Sequence, residues 1–140
     1  MKTHSMSAVS FRDPAGFVYK DRGSILRQVN VLARDHYDHL MRSGLYEELT
    51  DLGLLIRHEE SDAAPRDPES AYRVIRPELV DLISYPYEWS FSQYKDAALL
   101  TLAVQRRAVE RGMSLKDSSA YNVQFHEGRP ILIDTLSLEL

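Results

Sequence analysis

Apolar and polar positions along the first thirty residues point to short strands broken by turns. Asp13-Pro14-Ala15-Gly16 has turn composition, Phe17 to Lys20 reads as a strand, and Asp21-Arg22-Gly23 as the next turn. Ser24 to Val29 completes a small antiparallel meander, with Ala8 to Phe11 as a further short strand before it. The period then changes. Val31, Leu32, Tyr37, Leu40 and Met41 recur at helical spacing, which predicts a helix from Val31 to about Ser43 with Asn30 as N-cap. Gly44 ends it, a second helix runs from Leu45 to Leu52, and Leu54-Leu55-Ile56 reads as a short buried strand.

Residues 57–70 break the pattern. Two prolines and mixed charge predict a mobile connector there, and residues 1–7 are expected to form a flexible tail. Ala71 to Ile75 and Leu79 to Tyr85 read as strands, with Pro77 between them. Ser90 followed by Gln93 is a capping-box pattern that opens the strongest helix, Ser92 to Arg111. Its buried stripe is expected from Tyr94, Ala97, Ala98, Thr101, Leu102, Ala108 and Val109, widened by Leu99 and Leu100. Gly112 stops it. Two strands follow, Asn122 to Phe125 and Pro130 to Ile133, joined by the turn His126-Glu127-Gly128-Arg129. The pattern predicts one α+β domain over residues 1–140: a small antiparallel sheet of about five strands packed on helices, with a long helix leading into a terminal hairpin.

Composition narrows the function classes. The 140 residues suffice for a real core, and 44% hydrophobic with 27% charged is ordinary globular balance. A net charge of -4 argues against a nucleic-acid or anionic-membrane partner. The chain has no cysteine, which excludes disulfides and thiolate zinc sites and fits a cytoplasmic protein. No apolar run is long enough to span a bilayer, and no signal peptide is expected at the start.

Candidate chemistry gathers in the last third. Asp117 and Asn122 lie in the loop after the long helix, and the hairpin returns the chain so that Asp134 lands beside that loop. Three oxygen-bearing side chains would then converge, a set suited to Mg²⁺ held together with phosphates and water. The alternative is that Asp117 and Asn122 cap turns and Asp134 ends a strand. Other groupings are weaker. His36 and His39 share a helix face without an evident third metal ligand. Tyr85, Tyr87, Trp89, Phe91 and Tyr94 form an aromatic cluster read as core packing at a helix start, with a ring-stacking pocket as the other reading. Arg106, Arg107 and Arg111 complement the dipole at a helix end.

The run Leu115-Lys116-Asp117, four residues, Asn122, hairpin, Ile131-Leu132-Ile133-Asp134 resembles the catalytic core of kinase-like phosphotransferases. That resemblance implies Asp117 as the base-like catalytic residue and Asn122 and Asp134 as Mg²⁺ ligands. It implies a kinase-like small lobe and a partial catalytic-loop topology, with Leu79 to Trp89 as the segment that carries a nucleotide ring. Arg27 then stands where the family has a strand lysine, and Arg27, Tyr85 and Tyr87 become the nucleotide contacts. The family's glycine-rich loop and large lobe have no counterpart here. A second resemblance is more literal. Tyr85-Pro-Tyr-Glu-Trp-Ser-Phe-Ser-Gln-Tyr-Lys-Asp-Ala-Ala-Leu-Leu100, Gly112 to Asn122 and Pro130 to Leu136 are similar to the N-terminal region of a bacterial family of class I S-adenosylmethionine-dependent methyltransferases. It implies a C-terminal methyltransferase domain as partner in a longer protein. No glycine-rich turn of a nucleoside-binding α/β unit occurs in these residues, so S-adenosylmethionine would enter only through that other domain. The two resemblances imply a kinase-like module that binds a nucleotide or small-molecule substrate, or docks. The alternative is a structural or interaction domain without a ligand.

Overall fold

The computed structural model describes residues 14–80, 84–116 and 119–140. The fold is α+β, and its described residues divide into two compact units. One takes the described residues up to Asp35 together with Arg57–Glu78, and the other takes His36–Ile56 together with Leu79–Leu140.

The first unit is a four-stranded antiparallel sheet. β1 (Gly16–Asp21) and β2 (Ser24–Asn30) form a hairpin, and the sheet order is β1-β2-β4-β3, with β3 at His58–Glu60 and β4 at Ala71–Pro77. Phe17, Tyr19, Leu26 and Val74 pack together on one side, with Ala63 against them. Alternation in β1 puts Phe17 and Tyr19 on the same face, as a period of two requires. The stretch 57–70, expected as a connector, contains the edge strand β3 and is tied down by Gln28. That side chain is fully buried in β2. Its Nε2 donates to Asn30 Oδ1, Asp67 O and Ser70 Oγ, and its Oε1 accepts from Asp67 N at 2.9 Å. Asn30 does not cap a helix with its side chain. It donates to Pro14 O, and a 3-10 turn at Val31–Ala33 precedes helix α1 (Arg34–Arg42).

The second unit is built on helices. α1 contributes Tyr37 and Leu40 to its interior, α2 (Leu45–Asp51) contributes Leu45 and Leu49, and α3 (Phe91–Glu110) contributes Ala97, Leu100, Val104 and Ala108. All of these except Tyr37 meet Leu55, Trp89, Met113, Val123, Leu132 and Leu138 in one apolar cluster. The capping box at α3 forms as the sequence predicts: Ser90 Oγ accepts from Gln93 N, and Gln93 Oε1 accepts from Ser90 N at 2.9 Å. Its buried face differs from the expected one. Tyr94, Ala98, Leu99, Leu102 and Val109 are exposed, because apolar residues ring this helix and the core selects a different side.

Two small ladders complete this unit. β6 (Val123–His126) and β7 (Arg129–Leu132) pair through a two-residue turn whose Glu127 and Gly128 both have positive φ, at 52° and 80°. That is the twist-matched form for a hairpin, and it favours glycine at the second place. β5 (Ser114–Leu115) pairs with β8 (Leu138–Glu139). Leu54–Ile56 is not a strand. It makes one parallel bridge, Leu55 to Leu132, closed by Ile56 N to Leu132 O and Leu132 N to Leu54 O. Leu79, Val80, Ser84 and Tyr85 have no strand either; the rest of that predicted strand, the Ala8–Phe11 strand and the 1–7 tail fall partly or wholly outside the described residues.

Candidate functional site

The hairpin brings the backbone of Asn122 to Ile133, the residue before Asp134. Asn122 ends a 3-10 turn, Ala120–Asn122, that Ser119 opens by accepting from Tyr121 N. The pairing of β6 with β7 then extends one step further, and Ile133 N donates to Asn122 O at 2.9 Å. Asn122 thus sits beside the residue that precedes Asp134. Its Nδ2 is buried and makes no hydrogen bond. An amide nitrogen left in that state costs about 1–3 kcal/mol, so the position asks for an explanation.

Asp134 has a defined structural task. It caps the 3-10 turn Thr135–Ser137: Oδ1 accepts from Leu136 N at 3.0 Å, and its carbonyl accepts from Ser137 Oγ at 2.7 Å. The cap thus commits one carboxylate oxygen to the turn that follows the strand. The loop before Asn122 is anchored from the other side, since Lys116 N donates to Ser137 O at 2.8 Å. Asp117 follows Lys116 and lies outside the described residues. Among the described residues no three His, Cys, Asp or Glu side chains gather as a metal-binding group. Asn122 Oδ1 and the Asp134 carboxylate are hard oxygen donors, the type Mg²⁺ takes.

Tyr85 and Tyr87 form a separate feature of the second unit. Their rings stack at 5.6 Å with 4° between planes, and both are exposed. The aromatic cluster expected here divides in two. Trp89 is buried and meets Tyr94 and Phe125 edge-on, at 5.3 and 5.1 Å, while Phe91 points to solvent. The segment carrying the tyrosines is fixed by Gln124, a residue the sequence pattern did not single out. Gln124 Oε1 accepts from Ser84 N at 2.9 Å and Nε2 donates to Ser84 O at 3.0 Å; Ser84 Oγ in turn accepts from Trp89 Nε1. A polar side chain among the apolar positions of β6 was the only signal for it.

Arg27 is in β2 of the first unit, half-buried, opposite Val18 and Ile75 in the sheet register. That unit also carries an open recess of about 430 Å³ lined by Asp62, Pro65, Pro68, Tyr72 and Arg73 among others. None of the five described candidate residues lines it. Arg73 lies over the Tyr72 ring at 4.4 Å and 3.7 Å from Glu60. The histidines expected on one helix face serve the fold. His36 Nδ1 accepts from Leu140 N at 2.9 Å, and His39 Nε2 donates to Arg111 O at 2.6 Å.

The chain is similar to the nodulation protein NoeA of Rhizobium meliloti (strain 1021), with 40% identity over 136 residues. The match covers 94% of this chain and 28% of NoeA, so the chain spans well under a third of that relative's length. No family model matches the chain, and no solved structure matches it significantly. No described helix is long and apolar enough to cross a membrane.

Proposed function

We propose that this chain is a kinase-like module of a longer NoeA-like protein, binding a nucleotide or phosphorylated small molecule at the corner formed by Asn122 and Asp134. The observation that supports the reading is the Ile133 N to Asn122 O bond, which sets Asn122 beside the residue before Asp134, with a buried Nδ2 donor free to meet an acceptor such as a phosphate oxygen. In this reading Asn122 and Asp134 hold Mg²⁺, and the ion neutralises phosphate charge when bound. Asp117 orients a hydroxyl as the base-like residue, and Tyr85 and Tyr87 offer a flat apolar surface to a ring. Methyl transfer, with S-adenosylmethionine, belongs to another part of the longer protein, for which the coverage of NoeA leaves ample room. Calorimetry with Mg·ATP on the wild-type chain and on Asp134→Ala tests the site. Heat from the wild type that vanishes in the variant supports it; equal heats sink it. S-adenosylmethionine binding by the 140-residue chain would overturn the assignment of methyl transfer elsewhere.

One observation favours a second reading, a structural or interaction domain without a ligand. Asp134 already caps the Thr135–Ser137 turn, a role that accounts for an aspartate there. In that case Asp134→Asn, which keeps the cap, behaves as wild type in every assay.

A further inference from the structure

The outward side of α3 is an apolar ridge. Phe91, Ala98, Leu102 and Val109 follow one another at spacings of seven, four and seven, which keeps them on one side of an α-helix. All four are exposed, Phe91 at 86%, Leu102 at 65% and Val109 at 59%. Leu99 borders them and is exposed as well. At 1.5 Å per residue the ridge runs about 27 Å. Single exposed leucines are ordinary, but an aligned series of this length marks a surface that is covered in use. The helix's opposite side is already spent in the core through Ala97, Leu100, Val104 and Ala108.

We infer that this ridge is the seat of the further polypeptide that NoeA-like proteins carry in the same chain. The inference rests on reading the present chain as one module of a longer protein. NoeA has more than two thirds of its length outside the matched region, enough for at least one further domain. Lys95 and Arg106 are exposed along one flank of the ridge, so the covering surface is apolar with an acidic margin. A second copy of this chain fits less well. It would lay one helix face against its own copy. Antiparallel two-fold pairing would also bring the same flank of each helix together and set these cations against each other.

The absence of cysteine from the chain gives a clean probe. Leu102→Cys and Glu69→Cys, the latter exposed in the first unit, would each be made in the 140-residue chain and in a full-length chimera in which this chain replaces the matched residues of NoeA. Thiol labelling rates at each site are read by peptide mass spectrometry. The expected result is labelling of Leu102→Cys at least tenfold slower in the chimera, with Glu69→Cys unchanged. Val109→Cys repeats the measurement should Leu102→Cys disturb the chimera. Equal rates at the ridge in both contexts overturn the inference. So does protection of Leu102→Cys in the 140-residue chain that disappears on dilution, which assigns the ridge to a second copy. Labelling is independent of Mg·ATP, so failure here and failure of the nucleotide reading are separate results.

Discussion

Gln124 holds Ser84 by both backbone groups, its amide accepting from Ser84 N and donating to Ser84 O as a neighbouring strand would. The side chain acts as a ladder partner for Ser84, and it is buried while doing so. Gln124→Ala should lower stability by about 1–3 kcal/mol, the usual cost of unpaired buried polar groups plus a small void. Trp89 is the single tryptophan, and its indole donates to Ser84 Oγ, so its emission reports on this segment directly. The variant should show a red-shifted Trp89 spectrum at denaturant concentrations where the wild type is unchanged. Superimposable unfolding curves would remove Gln124 from this role.

Three helices meet at one polar corner. Arg111, which caps α3, donates to Glu48 Oε1 at 2.8 Å and to Ser43 O at 2.6 Å, while its own carbonyl receives His39. Arg107 adds a second contact to Glu48 at 3.3 Å. These groups are partly exposed, so screening limits each ion pair, but the fork spans both α2 and the end of α1. Arg111→Ala should cost about 1–2 kcal/mol in urea unfolding. Arg111→Lys should fall between, since an ammonium cannot hold both acceptors in one plane. A lysine variant as unstable as the alanine variant would argue that the packing of the stem, not the fork, matters.

Stability should depend on pH through His58 and Tyr19. Burial lowers the His58 pKa from 6.5, against a smaller opposing effect of Glu60. The folded chain therefore favours the neutral ring. That contribution is complete above pH 6.5 and declines as pH falls from there towards the lowered value. His58→Gln should flatten this part of a urea-midpoint profile. Tyr19 shifts the other way: burial and then Asp21 raise its pKa above 10.0, with Arg66 opposing. Its contribution is complete below pH 10.0 and is lost as pH rises through the raised value. Tyr19→Phe should flatten the alkaline side. It also loses the bond to Ala64 O, about 1 kcal/mol at neutral pH.

Asp134 separates capping from ligand binding. Asp134→Ala removes the acceptor for Leu136 N and should cost about 1 kcal/mol, whereas Asp134→Asn keeps an acceptor and should stay within a few tenths. If Asp134 also holds Mg²⁺, the asparagine variant folds as well as wild type yet binds Mg·ATP at least tenfold more weakly. Unchanged binding by that variant limits Asp134 to its cap.

Local signals carried much of the fold. The capping box at Ser90 and Gln93, the stop at Gly112 and the Glu127-Gly128 turn are short-range devices, and each forms where its residues predict. Which side of α3 faces inward was not legible, because Leu99, Leu100 and Leu102 give the helix no single apolar face and tertiary packing selects Leu100. β3 escaped notice for a different reason. His58-Glu59-Glu60 has no apolar alternation and exists as a strand through its pairing with Pro77, Arg76 and Ile75. At the candidate site the hairpin itself was legible, and its pairing carries Ile133 to Asn122. The clasp of Gln124 on Ser84 could not be foreseen, since it joins positions forty residues apart.

The three-residue length of β3 has a bearing on solubility. An edge strand offers unpaired backbone to any other extended chain, and long apolar edges template aggregation. Here that edge carries Glu59 and Glu60, with Arg76 3.4 Å from the first and Arg73 3.7 Å from the second. A foreign strand would find only a few residues to register against and would have to bury those carboxylates to do so. The sheet can therefore stay open on this side without recruiting its own kind.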